Sequence, residues 1–181
     1  GIFNREAAKK TVAKYGHREV DHEFGTNPCS EIILRPYQFC NLTEVVVRHD
    51  DTKEVLLRKV RLAAILGTIQ ATFTKFPYLR KVWQRNTEEE RLLGVSLTGI
   101  YDNKLMCTQG KELDDLLATL REEARKANEE FAGLLGIPTS AAITCVKPSG
   151  TVSQLVDSAS GIHPRHSKFY IRRVRGDAKD P

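Results

Sequence analysis

The segment Lys111–Leu135 carries the most regular pattern in the 181-residue chain. Its apolar residues recur at helical spacing and charged residues cover the other side, which predicts one long amphipathic helix with a single buried face. Gly136 is placed to end this helix. The flanking runs Leu92–Gly99 and Ser140–Val146 are apolar without helical periodicity, as is typical of buried strands. A long helix between two buried strands predicts an α/β fold with mostly parallel pairing.

The rest of the sequence is consistent with one module over residues 1–181, because it contains no internal repeat or linker. Asp50–Thr52 offers an N-cap for a second long helix, predicted over Lys53–Phe76 and ended by Pro77. The remaining predicted elements are a helix over Asn4–Ala13, a loop over Gly16–Pro28, an extended stretch over Glu31–Leu34, a strand over Leu42–Val47, a capped helix start at Asn86–Glu90 and a closing strand over Phe169–Val174.

Composition excludes several classes of protein. The chain is 40% apolar and 28% charged, which indicates an ordinary folded domain rather than a disordered or fibrous one. No apolar run approaches the roughly 18 residues of a membrane-spanning helix, so no membrane association is expected. The net charge is +5, with a basic excess in Arg165–Arg175. That excess favours an anionic partner such as a nucleotide, although ordinary solvated surface charge is the simpler interpretation of the segment by itself.

Cysteine usage indicates a reducing compartment. The chain contains Cys29, Cys40, Cys107 and Cys145, but it is large for a disulfide-built fold and shows no secretion signal. It also lacks a CxxC pair and any His/Cys cluster with zinc-ligand spacing, so no metal site is expected. We therefore expect reduced thiols in a cytoplasmic protein, where a functional cysteine would serve redox or radical chemistry.

An amide, a thiol and a carboxyl alternate in the segment that contains Asn27, Cys29 and Glu31. In an extended backbone alternate side chains point the same way, so one short segment could present all three groups to one ligand. A carboxylate can act as a general base on a hydroxyl, and an amide can both donate and accept hydrogen bonds. A turn with an inert buried cysteine is an equally good interpretation of these five residues alone.

A second cysteine, Cys40, follows closely and is succeeded by Asn41 and Leu42. The run Gly25–Leu42 closely resembles the active-site segment of ribonucleotide reductases, in which an Asn-x-Cys-x-Glu loop precedes a second cysteine. The short gap between the two cysteines resembles the adenosylcobalamin-dependent class, and among its members the monomeric type that reduces ribonucleoside triphosphates. The resemblance continues, in the same order, through Leu92–Gly99, Lys147–Leu155 and Ser160–Arg165.

This resemblance implies a role for each matching residue. Cys29 matches the cysteine that becomes a thiyl radical and abstracts the ribose 3′-hydrogen, and Glu31 matches the base that takes the 3′-hydroxyl proton. Asn27 matches the amide that orients the ribose and the carboxylate. Cys40 matches one of two cysteines that deliver reducing equivalents as the 2′-hydroxyl leaves as water. The other member lies far upstream in the family, and nothing in this chain matches it.

The loop Pro148–Val152 is a Gly-containing turn that leads into a possible helix start, where backbone N–H groups favour phosphate. Alone, a plain strand-to-helix turn explains it better. With the resemblance, Ser149, Gly150, Thr151 and Val152 are expected to bind the substrate phosphate. We interpret Cys107 and Cys145 as structural, and Tyr78 and Trp83 as core or interface residues. A structural role near a turn is as good an interpretation of His163 and Arg165 as a contact with substrate or cofactor.

As a whole, the resemblance implies part of a ten-stranded α/β barrel, namely the C-terminal part of the catalytic barrel, with Cys29 on a loop that enters it. It implies adenosylcobalamin as cofactor, a thioredoxin-type dithiol as reductant and a complementing N-terminal polypeptide as partner. The segment Asp21–Gly25 has the wrong spacing for a cobalt-ligating motif, and the family is thought to bind the cofactor without a protein histidine. The competing hypothesis is a catalytically inactive module that binds nucleotides or nucleic acid, although nucleic acid is not the expected partner.

Overall fold

The computed structural model describes residues 2–15, 18–171, 173 and 175–179. A short 3-10 turn at Ile100–Asp102 joins the fourth strand to the fourth helix. The helices and strands follow one another as α1 (Arg5–Tyr15), β1 (Gly25–Thr26), β2 (Ile33–Leu34), β3 (Asn41–Val46), α2 (Lys53–Gln70), α3 (Lys81–Glu90), β4 (Leu93–Thr98), α4 (Lys111–Leu135) and α5 (Gly150–Leu155).

Strands β3 and β4 pair in parallel, with Asn41 opposite Leu93 and Val46 opposite Thr98. Helix α2 packs against both strands of this pair, and α4 packs against α2; together they bury an apolar core in which alanines of both helices allow close approach. This arrangement confirms a mixed α/β class; the longer pair is parallel, as predicted, whereas β1 and β2 pair antiparallel. The core contains Val45, Val47, Leu56, Val60, Ala64, Val95, Met106, Leu116, Leu120, Ala124 and Ala127.

The segment predicted as a strand over Ser140–Val146 lies along the other edge of β4. It forms a single isolated parallel bridge, between Thr144 and Val95, and is not a full strand. The N–H groups of Leu93 and Val95 donate to the adjacent carbonyls of Ala142 and Ile143, so one residue is accommodated as a bulge. The prediction is therefore only partly correct, and Val146 is exposed.

Two helix boundaries differ from the predictions. Helix α2 ends at Gln70 rather than Phe76, because the guanidinium of Arg91 donates to the carbonyl of Ala71 at 2.5 Å and satisfies the end of the helix there. Asn86 does not begin a helix. It lies inside α3, buried, and its amide group donates to the carbonyls of Pro36 and Tyr37.

The chain end and the sheet also depart from expectation. Phe169, Tyr170 and Ile171 are exposed and lie outside any strand, while Arg172 and Val174 fall outside the described residues. Over the described ranges the strands form two two-stranded sheets, β1–β2 and β3–β4, so no closed barrel is seen. In the part of the chain that the structure describes, no helix has the length and apolar character needed to cross a membrane.

Candidate active site

Residues 27–32 form a tight turn between β1 and β2 rather than the extended segment expected from the sequence. The Oδ1 atom of Asn27 accepts a hydrogen bond from the Ile32 N–H at 3.0 Å, and the Asn27 carbonyl accepts one from the Ser30 N–H at 3.0 Å. Ser30 has a positive φ of 64°, which reverses the chain. The expectation that alternate side chains point the same way is therefore wrong here, because an asparagine side chain closes the turn.

The turn separates the thiol from the carboxylate. Cys29 is exposed, whereas the side chain of Glu31 is only 1% exposed. Neither carboxylate oxygen of Glu31 has a hydrogen-bond partner among the described residues, and its Oε1 atom lies 3.7 Å from the Nζ atom of Lys147. A buried acceptor without a partner is unfavourable in a native protein, and such a group is a candidate for ligand binding.

Two further cysteines lie close to Glu31. Burial, with the nearby Glu31 carboxylate as the second cause, raises the pKa of Cys40 above its ordinary value. Burial, followed by the charges of Glu31 and Cys40, raises the pKa of Cys145 to about 12, and the Lys147 ammonium opposes both shifts. Both groups are therefore neutral thiols at physiological pH, suited to hydrogen-atom or redox chemistry rather than to nucleophilic attack.

Cys40 and Cys145 cannot form a disulfide with each other in this conformation. All four cysteines are free. Cys40 precedes β3, Cys145 lies beyond β4 on its other edge, and two strand spacings amount to about 10 Å. That separation exceeds the roughly 7 Å between Cα atoms that a disulfide tolerates.

The loop predicted to bind phosphate leads into α5, but the hydroxyl of Ser149, one of the predicted phosphate-binding residues, is already engaged within the protein. Ser149 is buried, and its hydroxyl donates to Oε2 of Glu44 at 2.6 Å. That proton is directed into the protein and away from any external ligand. Gly150, Thr151 and Val152 are exposed.

The segment Ser160–Arg165, called the Ser160 motif below, packs against the backbone of this loop. The Gly161 N–H donates to the Pro148 carbonyl at 3.1 Å, and a side chain at Gly161 would collide with the Lys147 carbonyl. His163 and Arg165 are exposed, and Arg165 forms ion pairs with Asp102 and Asp157, as expected for a structural role near a turn.

The remaining weaker candidates lie elsewhere. Tyr78 is 97% exposed, so the alternative of a core position is wrong for it. Trp83 packs against Tyr37 and Phe39. Cys107 is exposed, with its thiol 3.7 Å from the Tyr101 carbonyl.

Three residues of this region escaped the sequence interpretation: Lys147, Glu44 and Cys145 as a neighbour of Glu31. Glu44 could have been found, since alternate residues of a strand share a face and Glu44 stands four residues after Cys40. Lys147 and Cys145 carry no such local signal, because the contacts of both with Glu31 cross more than 100 residues of sequence. Glu31 also lines a cleft of about 450 Å³, which is bordered by α1, α4 and residues 139–144.

No family model matches the chain. Among curated proteins, it is 32% identical to a probable adenosylcobalamin-dependent ribonucleoside-triphosphate reductase of Dictyostelium discoideum, over 92% of this chain and 22% of the relative. It is 31% identical to the adenosylcobalamin-dependent ribonucleoside-triphosphate reductase of Lactobacillus gasseri, over the whole chain and 28% of the relative.

A solved structure gives the same assignment. The crystal structure of a B-12 dependent (class II) ribonucleotide reductase matches with a TM-score of 0.64 and 26% identity, over 77% of this chain and 22% of that chain. The chain thus spans about a quarter of the length of the curated relatives it matches. It is homologous to a segment of the adenosylcobalamin-dependent, class II ribonucleotide reductases.

Proposed function

We propose that this chain carries the radical and acid–base residues of a ribonucleotide reductase that acts on ribonucleoside triphosphates. The single observation that supports this most is the turn 27–32, where the exposed thiol of Cys29 stands two residues from the buried carboxylate of Glu31, whose oxygens have no hydrogen-bond partner among the described residues. The names of the relatives supply the substrate class.

In this proposal each residue of the turn has one task. Cys29, as a thiyl radical, takes the hydrogen atom from the ribose 3′-carbon and returns it at the end of the reaction. Glu31 accepts the 3′-hydroxyl proton, for which a buried carboxylate whose oxygens accept no hydrogen bond is well suited. Asn27 uses its Oδ1 atom to hold the turn, and its NH2 group, which has no acceptor among the described residues, can donate to the ribose.

Cys40 supplies one of the two thiols consumed. The net reaction converts the ribonucleotide and two thiols into the 2′-deoxyribonucleotide, one disulfide and one water molecule. Cys145 lies too far across β4 to be the partner thiol, which the resemblance places upstream of this segment, and a thioredoxin-type dithiol then reduces the disulfide. Thiols that must stay reduced are appropriate to a cytoplasmic enzyme.

The residues present are compatible with the cofactor of the relatives. Cys29 lies exposed on the turn between β1 and β2, so its side chain is open to an approaching group. When bound, that cofactor supplies the radical chemistry. Cys29 is the residue that would face it, and the chain's own contribution is to hold the thiol at this position.

The substrate phosphate is proposed to bind at Gly150, Thr151 and Val152, with Ser149 fixing the loop from within through Glu44. The chain would form the C-terminal part of the ten-stranded catalytic barrel, and a complementing N-terminal polypeptide would supply the remaining strands.

The competing function is an inactive module that binds nucleotides or nucleic acid, for which the supporting observation is the net charge of +5. Assays of deoxynucleotide formation, with the chain alone and with the N-terminal part of a reductase, separate the two. Activity only in the mixture supports the proposal. Binding of nucleic acid without reductase activity in either sample supports the inactive module and refutes the proposal.

A further inference from the structure

The Lys147 ammonium is a counter-ion of Glu31 that makes no hydrogen bond to it. The Lys147 Nζ atom lies 3.7 Å from Oε1, beyond hydrogen-bond distance, while the Glu31 side chain is 1% exposed and the Lys147 side chain 20%. An ionised carboxylate at this depth is strongly disfavoured without a nearby positive charge. Lys147 therefore stabilises the charge of Glu31 and leaves both acceptor oxygens open to a ligand.

The backbone that carries Lys147 is fixed on two sides. Ser149, two residues further along, donates to the half-buried carboxylate of Glu44 on β3. Gly161 packs against the Lys147 carbonyl from behind. The ammonium group reaches Glu31 from a loop position that these two contacts set, and the same loop continues into Gly150–Val152.

We propose that Lys147 is a positioning residue for Glu31. Through this lysine, the buried carboxylate is linked to the loop at Gly150–Val152. The catalytic meaning of this link rests on the proposed function, whereas the pairing itself does not. On this account, a change in the loop position alters the charge environment of the base.

A double-mutant cycle on the full chain tests the pairing. Lys147→Met removes the charge at similar length, and urea unfolding at pH 8 should show about a tenfold or greater fall in the folded-to-unfolded equilibrium constant. In the Glu31→Gln background the same substitution should change this constant less than twofold. Lys104→Met, on an exposed lysine whose side chain has no partner among the described residues, is the matched control and should change neither background.

An equal loss in both backgrounds would overturn the pairing. If Lys147→Met alone does not fold, the double variant decides the matter, because the proposal requires that Glu31→Gln restores folding; failure of both variants to fold would overturn it.

The catalytic role of Lys147 is tested by the kinetics of the chain assembled with the N-terminal portion of an active reductase. Lys147→Met should lower kcat about tenfold or more, since a general base contributes at least that much, and Lys104→Met should leave it unchanged. A purely structural lysine would leave kcat unchanged in the folded variant, and that result would refute the positioning role. Absence of activity in the unmodified assembly would refute the proposed function, while the stability cycle would still decide the pairing.

Discussion

Replacing Gly161 with alanine should displace the loop that carries Lys147. A Cβ atom built on Gly161 would lie far inside the 3.0 Å limit of real contacts to the Lys147 carbonyl oxygen, and 3.1 Å from the Leu97 carbonyl oxygen. Both neighbours are backbone atoms, so no flexible side chain can move aside. Something must shift by about an ångström, and overpacking of this kind costs about 1–3 kcal/mol.

Gly133→Ala provides the matched control. Gly133 lies within α4, and nothing lies within 4 Å of a Cβ built there. Alanine at an unobstructed position in a helix should stabilise the chain by about 0.5–1 kcal/mol. The two substitutions add the same methyl group, so their free energies of unfolding should differ by roughly 1.5–4 kcal/mol.

Urea unfolding followed by the fluorescence of Trp83, the single tryptophan, measures both variants. The expected result is a lower midpoint for Gly161→Ala and a higher one for Gly133→Ala, with unchanged slopes. If Gly161→Ala unfolds at the midpoint of the parent chain with the same slope, the close packing of the Ser160 motif against the Lys147 loop does not exist in solution.

Three further outcomes follow from the site and the core. Glu31→Gln removes a charge that raises the pKa of both Cys40 and Cys145, so the pH profile of their alkylation by iodoacetamide should move to lower pH; an unmoved profile would place the carboxylate elsewhere. Because the pKa of Cys145 rises from 9.0 to about 12 on folding, stability from the neutral thiol is complete below pH 9 and is lost as the pH rises towards 12. Denaturation at stepped pH should show this decline, and Cys145→Ser should reduce it; an equal decline in both proteins would refute the assignment. Asn128→Ala removes three buried hydrogen bonds, two of them with Ser140, and should cost about 2–4 kcal/mol in thermal or urea unfolding, whereas a loss below about 0.5 kcal/mol would contradict the network.

Elements defined by local pattern were predictable. Helix α4 has the bounds expected from its periodicity, Lys111–Leu135, because glycines stand on both sides of it and Gly136 adopts the left-handed conformation that ends a helix. Thr52 caps α2 as its sequence indicates, with its side chain accepting from the Val55 N–H. Strands β3 and β4 were found because β-branched and buried apolar runs have few other interpretations.

Features set by contacts between distant residues were not predictable. Helix α2 ends where Arg91, twenty residues further along the chain, reaches the Ala71 carbonyl. The turn 27–32 closes through a side chain that sequence alone places equally well in an extended segment. The pairing of Ser149 with Glu44 spans 105 residues, and it turned a predicted phosphate donor inwards.

The assignment of Cys29 as the radical-carrying residue can be tested through the 2′-deoxyribonucleotide formed from a ribonucleoside triphosphate. The assay contains the chain, a complementing N-terminal polypeptide, adenosylcobalamin and a dithiol. Cys107→Ser, a change at another exposed cysteine, serves as the matched control and should retain turnover. We predict that Cys29→Ser forms no product while nucleotide binding persists. Normal turnover by Cys29→Ser would contradict the account.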